Sequence, residues 1–148
     1  MVKGRQHRFR YRARNIIGWS VWSDDSAILA AAVPQPPGRP LFKDFRGDLL
    51  DIIIKPSPEH GGSSIIKYEL WADKGDDYFS EFTKVTRYAG VDLEFSISPA
   101  DNLVRGKSYR FKTRALNQIG YSEFSDIGYI AYGDVPAIPN IPTLVTST

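Results

Sequence analysis

The chain has 148 residues, a formal net charge of +2 and no cysteine, which removes disulfides, thiol catalysis and cysteine-ligated zinc together. It contains no apolar run of about 18 residues that would predict a membrane-spanning helix, and its start, MVKGRQHRFR, lacks the apolar segment of a secretory signal. Aromatic residues at 13%, ten prolines, twelve glycines and several short Val/Ile/Tyr-rich runs predict an all-β sandwich.

The first patterned stretch is Arg8 to Ser23, RFRYRARNIIGWSVWS. It predicts a strand, a turn at Asn15 to Gly18, and a second strand continuing through Leu29. Strand side chains alternate with period two, so His7, Phe9, Tyr11 and Ala13 share one face and Arg8, Arg10, Arg12 and Arg14 the other. Guanidinium planes stack on indole faces at on the order of 1 kcal/mol per contact. Arg8, Arg10, Arg12, Arg14, Trp19 and Trp22 are therefore expected to build a structural cation–π ladder. The competing use of such a stripe is binding an anionic glycan or another polyanion.

Pro34 to Pro40, PQPPGRP, predicts a stiff polyproline II joint. Pro34, Pro37 and Arg39 also fit a PxxPxR ligand of SH3 domains. Prolines recur 102 residues later, at Pro136, Pro139 and Pro142, and that favours a linker.

A first strand is expected over Leu41 to Phe45, and Leu50, Ile52 and Ile54 alternate inward on the second until Lys55-Pro56 ends it. Arg46-Gly47-Asp48 between them is an integrin-type RGD triplet that a Gly-Asp turn also explains. After the loop Glu59 to Ser64, Ile66, Tyr68, Leu70 and Ala72 are read as inward on the third strand, with Trp71 outward. Asp73 to Asp77 reads as a turn, in which Asp73, Asp76 and Asp77 offer weak calcium ligands at most. Phe79 to Tyr88, then Phe95 and Ile97, predict two more strands, and Asp101 to Gly106 a loop. In the following strand Tyr109, Phe111, Thr113 and Ala115 face inward while Arg110, Lys112 and Arg114 face out. The last strand is expected from Ser122 to Tyr132, with a joint at Asp134 to Pro142 and a new strand at Thr143 to Thr148.

Arg110 to Ser125, RFKTRALNQIGYSEFS, repeats the first stretch at a spacing of 110 − 8 = 102 residues, the length of one β-domain. The residues Leu103, Gly106, Tyr109, Phe111, Arg114, Ala115, Asn117, Gly120, Ser122 and Ser125 resemble the closing third of a fibronectin type III domain. That resemblance implies a seven-strand immunoglobulin-like sandwich of two antiparallel sheets, with Tyr109 as its tyrosine corner. His7 takes the corner position in the first copy, and Ile54 stands where the family usually places Trp. Trp19-Ser20-Val21-Trp22-Ser23 resembles the WSxWS motif of class I cytokine receptors, in which Trp rings interleave with Arg side chains.

The division expected is residues 1–33 as the last two strands of one unit, 34–135 as a complete unit, and 136–148 as a linker and the first strand of the next. The first segment lacks its earlier strands, so it is expected to be unstable alone, and Met1 is read as a cut rather than a natural start. The two histidines, His7 and His60, fall in different units, and no acid, base and nucleophile come together. The expectation is a non-enzymatic structural and adhesive module without cofactor or metal, set outside the cell or on its surface. Its partners would be neighbouring domains, copies of itself or an anionic glycan at the basic strand, with no nucleic acid and no membrane insertion. The alternatives are a receptor ectodomain and an intracellular filament-associated array.

Overall fold

The computed structural model describes residues 2–75 and 81–133. Its strands are β1 (Gln6–Phe9), β2 (Ser26–Leu29), β3 (Leu41–Arg46), β4 (Leu49–Ile53), β5 (Lys67–Ala72), β6 (Thr83–Lys84), β7 (Glu94–Ile97), β8 (Lys107–Leu116) and β9 (Gly128–Tyr132), with a 3-10 turn at Pro99–Asp101. All pairings are antiparallel. One sheet has the order β3-β4-β7 and the other β6-β5-β8-β9, while β1 and β2 form a two-stranded sheet of their own.

The two larger sheets close over a core in which Leu50, Ile52, Ile54, Leu70, Ile97, Phe111 and Tyr132 are fully buried. Alternation produces this directly, since every second residue of β4, β5, β8 and β9 points between the sheets. Burying each such side chain contributes roughly 2 kcal/mol. Val85 and Tyr88 fill the core from the segment after β6.

Four expectations change. The strands on either side of the Asn15 to Gly18 turn are confined to β1 and β2, with Arg14 and Trp19 meeting as an isolated bridge, because the Ser20 and Ser23 hydroxyls take the Ala13 and Tyr11 amides in place of carbonyls. Ile66 precedes β5 at the loop end of the sheet, where its amide donates to the Leu116 carbonyl at 2.7 Å, and its side chain is 59% exposed. The inward series therefore starts at Tyr68. The strand expected over Phe79 to Tyr88 is reduced to the two residues of β6 among the described ones; Asp76, Asp77 and Phe79 lie outside them. The last strand begins at Gly128 rather than Ser122, because two serine hydroxyls take the partner amides that a strand's carbonyls would take.

Candidate functional site: a cation–aromatic ladder and a docked linker

β8 of the complete unit carries Arg110, Lys112 and Arg114 on its outer face. The Arg110 guanidinium lies 5.1 Å from the Phe82 ring centre, and the Lys112 ammonium sits between Phe82 (4.2 Å) and Phe124 (4.1 Å). Arg114 lies 4.0 Å from Tyr121, 5.0 Å from Phe124 and 5.5 Å from Trp71. Rings and cations thus alternate along the strand. Each contact is attractive because a cation meets the negative face of a ring.

Two buried carboxylates anchor the row. Glu69, opposite Arg114 in the β5–β8 register, is 4% exposed. It accepts from Arg114 Nε at 2.8 Å, Lys84 Nζ at 2.6 Å, Tyr121 Oη at 3.0 Å and Trp71 Nε1 at 3.3 Å. Burial alone would raise its carboxyl, but hydrogen bonds from Lys84, Arg114, Tyr121 and Trp71 overcome that and hold it at about 2. Asp73 accepts from Arg110 Nε at 2.6 Å and from the Arg110 amide at 3.0 Å. Burial and the neighbouring Arg114 and Arg110 charges lower Lys112.

The backbone beneath the ladder is held by serines. The Thr113 amide donates to Ser125 Oγ and the Ala115 amide to Ser122 Oγ, each at 3.0 Å, while the Ser125 and Ser122 amides return bonds of 2.8 Å to the same residues' carbonyls. The first copy repeats this frame. Tyr11 donates to Ser23 Oγ at 3.0 Å and Ala13 to Ser20 Oγ at 2.9 Å. The registers agree as well, His7↔Ile28 matching Tyr109↔Ile130 at the 102-residue spacing.

On that frame Arg10 lies 4.7 Å from the Trp22 ring, Arg12 lies 4.3 Å from Trp19 and 4.6 Å from Trp22, and Arg14 lies 5.4 Å from Trp19. Arg8 is placed 4.0 Å from Asp25, on an exposed pair. Trp19 and Trp22 stay 53% and 46% exposed, and Tyr11 78%. The rings of the first ladder are therefore more open to solvent than Tyr121 of the second, which is 39% exposed.

The other expected sites are occupied by contacts within the chain. Tyr109, 1% exposed, accepts from the Val104 amide at 2.6 Å and donates to the Val104 carbonyl at 3.0 Å. Removing that hydroxyl takes the partner from both the Val104 amide and the Val104 carbonyl, so Tyr109→Phe is expected to lower stability by about 1 to 2 kcal/mol in a thermal melt. Arg46 donates to Asp51 through Nε at 2.5 Å and Nη2 at 3.0 Å, and Arg105 reaches Asp48 at 2.6 Å. The RGD triplet thus closes the β3–β4 hairpin around Gly47 with both charged ends paired. Asp73 is committed to Arg110, and the described residues hold no cluster of metal-ligating side chains.

The linker is a second site, assembled from residues that sequence patterning treats as loop filler. Pro34, Pro37 and Pro40 are all buried, so the face of the polyproline strip that an SH3 domain would read is turned onto this chain. The Ala32 amide donates to the Gly61 carbonyl at 2.8 Å and the Gln35 amide to the Glu59 carbonyl at 2.9 Å. Asn117 Nδ2 bridges the Ala32 carbonyl at 2.7 Å and the His60 carbonyl at 2.9 Å, while its Oδ1 accepts the Ile119 and Gly120 amides. A Cβ at Gly61 would stand 2.3 Å from the Ala32 oxygen, and one at Gly62 would stand 2.5 Å from the Gly4 nitrogen. Both glycines have positive φ, so the approach of hairpin, linker and loop depends on them.

The solution structure of a human fibronectin type III domain, the fourth of its protein, matches 74% of this chain and 87% of its own, with a TM-score of 0.59 at 21% identity. The complete unit has the fibronectin type III fold. No protein-family model matches the chain. A titin homolog of Caenorhabditis elegans is 35% identical over 95 residues, 63% of this chain, and human myomesin-2 is 29% identical over 130 residues, 85% of it. The chain spans 0% and 8% of those proteins' lengths. Both are multidomain structural proteins of the sarcomere, inside the cell. That overturns the extracellular or cell-surface setting: one fold serves both sides of the membrane, and cysteine-free composition does not choose between them.

Proposed function

We propose that this chain is a section of an intracellular, filament-associated array of fibronectin type III units, serving as a non-catalytic spacer and protein-interaction scaffold. Residues 1–33 close one unit, 34–135 form a complete one, and 136–148 lead into the next; residues 134–148 lie outside the described ones. The partners are neighbouring units of the array or copies of it. In both units the outer ladder is structural, its cations being held by rings rather than left as an open stripe.

The docked linker carries this reading. A flexible tether leaves its amides in water, whereas this one ties its amides and carbonyls to the 57–62 and 117–120 loops. Such a joint transmits orientation from one unit to the next. Backbone relaxation on the full chain tests it: Ala32 and Gln35 should show order parameters near the rigid-sandwich value of about 0.85, and values under about 0.6 would overturn the spacer reading. Asn117→Ala removes four hydrogen bonds at once. It should cost about 2 to 3 kcal/mol in urea unfolding and lower the order parameters of residues 32–35. The setting is tested by an antibody against the chain, which should label filament-bound material inside cells; label confined to the outer surface or medium would reject it.

A further inference from the structure

We propose that Ser57 is a phosphorylation site for a proline-directed protein kinase, and that phosphate there undocks the 32–40 linker. This rests on the docked-linker reading above. Ser57 lies in Lys55-Pro56-Ser57-Pro58, directly after the strand that Pro56 terminates. Its neighbours Lys55, Pro56, Pro58 and Glu59 are exposed and the segment lies outside any helix or strand, so a kinase that accepts proline after its target serine meets an accessible run. Ser57 itself is half-buried, because its hydroxyl works across the joint. Oγ lies 2.5 Å from the Gln35 carbonyl oxygen on the linker and 2.9 Å from the Glu59 carbonyl oxygen in its own loop.

That placement makes the hydroxyl proton indispensable. In the transfer, Ser57 Oγ bonds to the γ-phosphorus of a nucleoside triphosphate, the bond from that phosphorus to the β,γ-bridging oxygen breaks, the diphosphate leaves, and the hydroxyl proton passes to the kinase base. The product oxygen has nothing to donate. It brings a charge of about −1.5 to −2 and three further acceptors toward two carbonyl oxygens, that of Gln35 and that of Glu59, the second of which also accepts the Gln35 amide at 2.9 Å. The Gln35 carbonyl loses its partner, and the Gln35 amide bond to Glu59 sits within the same ring of contacts. Transfer requires the joint to open locally, so the kinase reads the undocked state and the phosphate then holds it. Lys55 is the cation beside the linker, its Cβ within 2.8 Å of where a Cβ on Gly38 would stand.

The test uses the full chain, a proline-directed serine/threonine kinase and MgATP, with phosphopeptide mapping and amide exchange. One phosphate should map to Ser57 and be absent from Ser57→Ala. After modification, exchange at Ala32 and Gln35 should quicken about tenfold or more, and Asn117→Ala should be phosphorylated several-fold faster than the unsubstituted chain. Absence of phosphate on Ser57 while the unmodified Ala32 and Gln35 amides remain protected rejects the site and leaves docking intact. Phosphorylation with unchanged or slower exchange rejects the release, and means that Lys55 captures the phosphate. Ala32 and Gln35 amides that already exchange at free-chain rates before modification reject docking itself, and the proposal with it.

Discussion

Arg114→Ala is expected to lower the stability of the chain by about 3 kcal/mol in urea unfolding, because it strips one of the two cations from a carboxylate that is 4% exposed. Lys84 remains on the other oxygen of Glu69, at 2.6 Å and with a side chain 39% exposed, which keeps the loss below that of a fully orphaned charge. Arg12→Ala, whose rings are half in solvent and which has no buried carboxylate beneath it among the described contacts, should cost about 1 kcal/mol. Aromatic partners alone rank these two the other way round, since Trp19 and Trp22 are better cation acceptors than Tyr121 and Phe124. Arg114→Lys separates charge from geometry: it keeps the cation, loses the planar fork, and should fall between the two. A cost below about 1 kcal/mol for Arg114→Ala would show that Lys84 alone satisfies Glu69.

Acid should reveal the same carboxylate. Glu69 in the folded chain is held at about 2, below its ordinary 4.5, so the folded state binds fewer protons than the unfolded one between these values. Its contribution of about 3 kcal/mol is therefore fully present above pH 4.5 and is lost as the pH falls through about 2. Asp51, lowered by hydrogen bonds from Arg46 and Ser96, adds a smaller slope of the same sign. Glu69→Gln should be less stable at neutral pH and keep only the smaller Asp51 slope across that window. An unchanged acid slope in Glu69→Gln would place the proton uptake elsewhere.

What the sequence makes legible is whatever repeats along it. Alternation alone identifies the inner faces of β4, β5 and β8, and the 102-residue spacing links two ladders whose hydrogen bonds and registers agree. Alternation misleads where a side chain imitates backbone: Tyr121-Ser122-Glu123-Phe124-Ser125 reads as strand, yet its serine hydroxyls replace ladder carbonyls. Glu69 is invisible as an anchor because its partner is 45 residues away, and only the β5–β8 register puts them opposite. The signal available was a carboxylate at an outward position beside Trp71. Asn117 reads as an ordinary turn residue through its Oδ1; the bonds of its Nδ2 cross 85 and 57 residues and need the folded chain.

The buried prolines also bear on what happens under load. A pull along the chain from the β1–β2 side reaches β3 through Ala32 to Pro40, nine residues folded against the loop end of the sandwich. Peeling them off would release up to about 30 Å of contour before tension arrives at β3. That first extension breaks a handful of hydrogen bonds at the loop end and leaves the sandwich core untouched. In the array proposed above, a junction of this kind would be a short, reversible reserve of length in series with a much stiffer element, and a row of them would yield in small steps long before any unit unravels.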